Sequence, residues 1–204
     1  MRTTLLVLGL LLAGAPLAWL VTRHTLLGML LLRLERQLDA LAAVTGRHVM
    51  WLSLALVLLQ FAIVVLRYAF GVGHVALQEG IIYLHATLFL LAAAYALRED
   101  AHVRVDIFYR DAPPRRRAWI DLAGTYLFLI PAMAVVLWVA FPYVAASWAV
   151  MEGSKETSGL PFTFLLKTLM LVFAVLVLLQ GYAAIIRCIH TLLGGAGGPA
   201  GTRA

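Results

Sequence analysis

Histidines and a handful of charged or amide side chains set inside long apolar runs are the first candidates for chemistry in this chain. Six histidines raise the question of haem. A b-type haem held between membrane helices needs two imidazoles at similar depth on facing helices. His85 is the one histidine clearly inside an apolar run. His48 opens another such run, His74 lies between two, and His24, His102 and His190 fall in basic stretches. His74 with His85 is therefore the one candidate pair, and a packing or interfacial role is the simpler reading of each. The single cysteine, Cys188, excludes an intrachain disulfide and a cysteine metal cluster. No phosphate loop, Ser-His-Asp arrangement or pair of catalytic carboxylates can be found. No catalytic, cofactor-binding or metal residue is assigned, and no cofactor is expected.

Five other residues ask for partners. Arg67 closes one apolar run and Glu79 opens the next, so a hairpin brings them to the same side as an ion pair or a shared contact. Lys167 sits about one turn inside the last apolar run. An ammonium there must snorkel outward or find a carboxylate, with Glu152 or Glu156 in reach. Gln60 and Gln180 lie deeper, in "VLLQFAIVVLR" and "VLLQGYAAIIR". Buried amides join membrane helices through modest hydrogen bonds. Both are read as interhelical contacts, within this chain or toward a partner.

The elements that position these residues follow from hydropathy. Hydrophobic residues make up 63% of the 204 and charged residues 13%, against about 25% charged in soluble domains. The solvent of such a surface is largely lipid. Four runs, Val49–Leu66, Ile81–Leu97, Trp119–Phe141 and Phe162–Ile186, each approach the roughly 20 residues that cross hydrocarbon as a helix. None alternates as a barrel strand does. A fifth run, Thr4–Val21, opens the chain and reads as an extra membrane helix within a segment 1–22; a cleaved signal peptide or a re-entrant segment is the alternative. Residues 25–45 place Leu27, Leu30, Leu34, Leu38 and Leu41 on one face and Arg33, Arg36 and Gln37 opposite, with Glu35 and Asp39 at the edge. This predicts an amphipathic helix at the membrane interface, or one that continues into the first core span. The expected fold is an all-α integral membrane protein: four core helices over 23–193, the N-terminal helix, the interfacial helix, and a flexible glycine-rich tail at 194–204. Pro131 is expected to kink the third core span.

The stretch 97–119 holds six of the sixteen basic residues. Grouping it with 22–47 and the C-terminal tail puts twelve Lys/Arg on one side and four on the other: Arg2, Arg67, Lys155 and Lys167. The positive-inside rule makes the crowded side cytoplasmic. The net charge of +6 is thus read as contact with anionic membrane lipid and not with nucleic acid. Within the loop, His102, Arg104 and Asp106 alternate with Val103, Val105 and Ile107, and Arg115, Arg116 and Arg117 abut the next span at headgroup level. All six are read as lipid-facing or topology-setting.

Several pieces, in order, resemble a known family. They are "VLRYAFG" at 65–71, Glu79, "AHVRVDIFY" at 101–109, "APPRRRAW" at 112–119, "SGLPFTFLLKTLMLVF" at 158–173 and "LLQGYA" at 178–183. Together they resemble the small permease subunit of tripartite ATP-independent periplasmic (TRAP) transporters, the DctQ-like family. The likeness covers about residues 25–188. Ala101 stands where the family has glycine, Val75–Gln78 lacks the usual tryptophan, and Ala92 or Ala93 replaces a small glycine. The resemblance implies a non-enzymatic scaffold in the bacterial inner membrane. Its partners would be a large permease subunit and an extracytoplasmic solute-binding protein, with gradient-driven uptake of an organic acid or similar solute. Two alternatives remain at this level: a haem- or quinone-associated anchor of a redox enzyme, and a self-contained small channel or carrier.

Overall fold

Hydrocarbon offers no hydrogen-bond partner, so an apolar run must satisfy its backbone within itself, and a helix does so. The computed structural model describes residues 14–20, 25–101, 109 and 111–194. It is helical throughout its regular elements, with no strand among the described residues. Four helical segments are long and apolar enough to cross a membrane: Thr25–Ala69, Val75–Arg98, Pro114–Ala149 and Thr163–Leu192. The elements are α1 (Thr25–Ala69), α2 (Val75–Arg98), α3 (Pro114–Gly124), a π-helical turn (Thr125–Leu129), α4 (Ile130–Ala149) and α5 (Thr163–Leu192). Of the N-terminal run, residues 14–20 are helical; residues 1–13, 21–24 and 195–204 lie outside the described residues. So do His102, Arg104 and Asp106.

The interfacial helix and the first core span are one helix, α1, of 45 residues. At 1.5 Å per residue it runs about 67 Å, twice the hydrocarbon thickness. Nothing between the two runs breaks it, because Thr45-Gly46-Arg47-His48 contains no proline. Gly46 looks like a stop signal but serves packing: a Cβ there would enter the ring of Tyr95. The buried face of the N-terminal part is also rotated from the expected leucine stripe. Leu30 and Leu41 are exposed, Gly28 and Leu31 are buried, and Glu35 and Asp39 are half-buried.

Each helix end has a local cause. Gly71, at φ +70°, closes α1, with the Val72 amide donating to Leu66 O at 3.0 Å. Helix α2 begins six residues before the expected span and takes in Gln78 and Glu79. It ends at Arg98, and the chain turns at Asp100, a non-glycine at φ +59°, with the Ala101 amide donating to Ala96 O. Pro114 is the first helical residue of α3, where its missing N–H costs nothing. The amides of Arg116 and Arg117 donate back to Pro113 O.

Just before Pro131, where the sequence leads one to expect a kink, the helix widens into the π turn. The Ile130 amide reaches back five residues to Thr125 O. One residue is thereby inserted ahead of an imino acid that has no N–H to give. Helix α4 then runs through Pro142 to Ala149, eight residues beyond the expected span. Met151, at φ +45°, turns the chain so that the Glu152 amide donates to Ser147 O at 3.0 Å. Helix α5 extends six residues past its expected end.

Contacts divide the chain into two units. One comprises Met1–Leu41, Ala96–Ala132 and Leu178–Ala204. Its core joins Trp19, Leu31, Ala118, Leu122, Ile185, Ile186, Ile189 and Leu192. The other comprises Ala42–Tyr95 and Met133–Val177, with Ala94, Ala140, Val144, Ala174 and Val177 buried. Large apolar side chains such as Trp138 (79% exposed) remain uncovered, as lipid contact allows.

The close approach at Gly46 yields a test. G46V should cost about 1–3 kcal/mol of stability through overpacking against Tyr95. The expected result is a lower thermal midpoint in detergent, partly restored by adding Y95A. An unchanged midpoint for G46V alone would show that the ring does not press on this glycine.

Candidate functional site

The polar residues of the first unit gather on one acidic pair. Glu35 and Asp39 stand one turn apart on α1, and Arg187 of α5 reaches both. Its Nη1 donates to Asp39 Oδ1 at 2.7 Å and to Glu35 Oε1 at 3.4 Å. Gln180, two turns earlier on α5 and 1% exposed, donates from Nε2 to the same Asp39 oxygen at 2.9 Å. Of the two readings of Gln180, within this chain or toward a partner, the fold gives it an intrachain contact, with a carboxylate. Gly181 beside it lets Leu129 of the π turn approach, since a Cβ there would lie 2.7 Å from Leu129 Cδ2. A cavity of about 700 Å³ opens in this unit, lined among others by Arg98, Asp121, Phe128 and Arg187.

The basic cluster also makes contacts within the chain. Arg115 donates to Leu192 O at 3.3 Å, capping the carbonyl end of α5. Arg117 donates to Ala112 O at 2.9 Å and lies 5.3 Å from the Tyr109 ring centre. Arg116 is exposed. Two of the three arginines therefore hold structure as well as contributing charge.

In the second unit Glu79 and Arg67 do not pair. Both Glu79 oxygens serve the loop that follows α4: Oε1 accepts from Ser154 Oγ, and Oε2 accepts from the Leu160 amide at 2.6 Å. The Ser154 amide donates to Leu160 O at 3.1 Å and closes the loop on itself. Gly159 has to be glycine, because a Cβ would crowd both Ser154 and Glu79. Glu79 and the Gly-Leu-Pro at 159–161, two separate pieces in the sequence, are therefore partners. Only their shared membership of a pattern linked them; no spacing rule could.

Lys167 finds Glu152, not Glu156. Its Nζ lies 2.5 Å from Glu152 Oε2 and 4.0 Å from the Tyr143 ring centre. The lysine holds the Glu152 carboxyl below the ordinary carboxylate range. Trp148 braces the same corner, donating from Nε1 to Thr168 Oγ1 at 2.9 Å and meeting the Phe164 ring edge-on. Gln60 behaves differently from Gln180. It is exposed on α1 and has no hydrogen-bond partner among the described residues. The shared VLLQ strings thus sit in unlike surroundings. His85 is exposed on α2 and stacks on Phe89 at 6.3 Å. Among the described residues no cluster of His, Cys, Asp and Glu could hold a metal ion.

Residues 56–191, two thirds of the chain, match the family model described as tripartite ATP-independent periplasmic transporters, DctQ component. The matched span takes in Glu79, Gly159, Lys167, Gln180 and Arg187, but not Glu35 or Asp39. No curated protein and no solved structure matches the chain.

The acidic pair makes Arg187 the residue whose loss should cost most. R187M would strand two part-buried carboxylates, and removing one partner of a buried pair costs about 3–5 kcal/mol, less where water reaches it. The expected outcome is a marked fall in membrane abundance and melting temperature. Adding E35Q and D39N should restore much of both. A stable R187M single variant would show that the clasp contributes little.

Proposed function

Given that the chain belongs to the DctQ family of tripartite ATP-independent periplasmic transporters, we propose that it is the scaffold subunit on which a large permease is mounted. It is a multi-pass membrane transport component and not an enzyme. In this reading an extracytoplasmic protein delivers an organic acid or similar solute, and the large permease carries it inward, driven by an ion gradient. The small subunit contributes membrane bulk and fixed contacts.

One observation carries the reading: Arg187, Lys167 and Glu79, three charged groups set in the helices, have their partners inside the chain. Arg187 meets Asp39 and Glu35, Lys167 meets Glu152, and Glu79 holds Ser154 and Leu160. Carriers keep polar groups and interrupted helices near the midplane for ions and substrate. Here the matched charges tie helix to helix and loop to helix. Such fixed contacts suit a body that stays rigid while its partner moves.

The charge asymmetry supports an orientation with the 97–119 loop and the C-terminus in the cytoplasm. Cys188 then lies at the cytoplasmic end of α5. A membrane-impermeant maleimide should label it in inverted vesicles and leave it unlabelled in intact cells. Labelling confined to intact cells would reverse the topology.

Reconstitution tests the function. Proteoliposomes holding this chain alone should show no gradient-driven uptake of organic acids. Adding the large permease and the loaded binding protein should produce uptake, and the large permease without this chain should lose most of it. Saturable uptake by the lone chain would defeat the scaffold reading.

A further inference from the structure

The exposed face of α1 carries a heptad pattern that has no partner within the chain. Met50, Val57 and Val64 recur every seven residues, and so do Ser53, Gln60 and Arg67, three positions on. Leu54, Phe61 and Tyr68 flank them with the same period. All nine side chains are exposed, up to 84% for Tyr68. The neighbouring Leu52, Leu56, Leu59, Ile63 and Leu66 form the half-buried side of the same helix. A seven-residue repeat is the signature of one helix following another with knobs packed into holes. From Met50 to Tyr68 the seam runs about 27 Å, close to the thickness of the hydrocarbon core.

The polar line distinguishes this face from lipid-facing ones. Helices α4 and α5 expose apolar side chains at comparable sites: Val135, Trp138, Val139, Val172 and Val175. On α1 the line Ser53–Gln60–Arg67 runs along one edge of this face, beside the apolar line Met50–Val57–Val64. Ser53 satisfies its hydroxyl on Met50 O at 2.6 Å. Arg67, two residues from the helix end, can snorkel to the interface. Gln60 can do neither. It lies nine residues, about 13 Å, before Ala69, so its short stem does not reach water. A primary amide facing hydrocarbon leaves its donors and acceptor unmatched at a cost of several kcal/mol. A polar residue within a heptad seam fixes the register of the helix that covers it.

We infer that the α1 seam Met50–Tyr68 is the docking face for one transmembrane helix of the large permease component. That helix would present a hydrogen-bonding side chain opposite Gln60 and an acidic group at headgroup level opposite Arg67. The inference rests on the proposed scaffold role and names the surface that performs it. Lipid alone would leave Gln60 unmatched, and a second copy of this chain would set Arg67 against Arg67 if it packed in parallel.

Photo-crosslinking in the co-expressed complex tests this. A benzophenone amino acid at Val57 or Val64 should form an adduct with the large component, and one at Trp138 or Val172 should not. Q60L should lower recovery of the large component about three- to ten-fold, the range of a single interhelical hydrogen bond in lipid, with this chain's membrane level unchanged. Adducts only from Trp138 or Val172, adducts with a second copy from the seam, or lipid adducts alone would overturn the inference while wild-type copurification preserves the scaffold role. Unchanged recovery for Q60L would remove Gln60 as the register-fixing contact and overturn the seam as drawn. Failure of the wild-type chain to copurify with the large component would overturn the scaffold role itself.

Discussion

Hydrocarbon cannot hydrogen-bond, and every feature of this chain is a response to that. It forces the apolar runs into helices. It explains why Pro131 is preceded by a wide turn that redirects the Ile130 amide to Thr125 O. It also forces each polar side chain to find a partner or to reach water. Arg187 and Gln180 converge on Asp39, and Lys167 meets Glu152. A charge pair replaced by well-packed apolar residues is often no less stable. What such pairs supply is register: a guanidinium shared by two acids one turn apart permits few alternative positions of one helix along another.

The loop after α4 follows the same logic at the edge of the membrane. Its closure uses a left-handed turn at Met151, a Ser154–Leu160 backbone bond and both oxygens of Glu79. Helix α2 thereby fixes a segment more than seventy residues later in the sequence. Lys167 and Trp148 secure the same segment from α5 and α4. The second unit is thus tied together around a loop that leaves few internal degrees of freedom.

Hydropathy made the four long helices legible, because length and apolarity decide them without reference to neighbours. Their ends were not legible, since they depend on caps such as Gly71, Asp100 and Met151, whose left-handed backbone only partly follows residue type. The inward turn of Glu35 and Asp39 was missed for a related reason. Helical periodicity sorts residues by polarity, and here the two acids face inward to meet Arg187, some 150 residues away. Lys167 could be narrowed to Glu152 or Glu156 because few carboxylates lie near that span, and only the fold selects Glu152. Arg67 with Glu79 could not be read correctly, because chain proximity suggested a pair while the nearer geometric partner of Glu79 was a backbone amide. The family pieces recorded both Glu79 and Gly-Leu-Pro, and the hydrogen bonds between them give those separate signals a common cause.

The distribution of unmatched polarity is the last step. A carrier would hold its unmatched groups inside, where ions and substrate pass. Here Gln180 lies in the interior and meets Asp39, while Gln60 faces outward on α1 between Ser53 and Arg67. Gln180 donates to Asp39 while its own carbonyl oxygen stays buried without a partner, and the whole amide of Gln60 is directed away from the chain. The exposed amide of Gln60 therefore gives this chain an outward contact to offer. In a lipid environment, where apolar burial does not drive helices together, a few such groups and the shape around them decide which surface is covered.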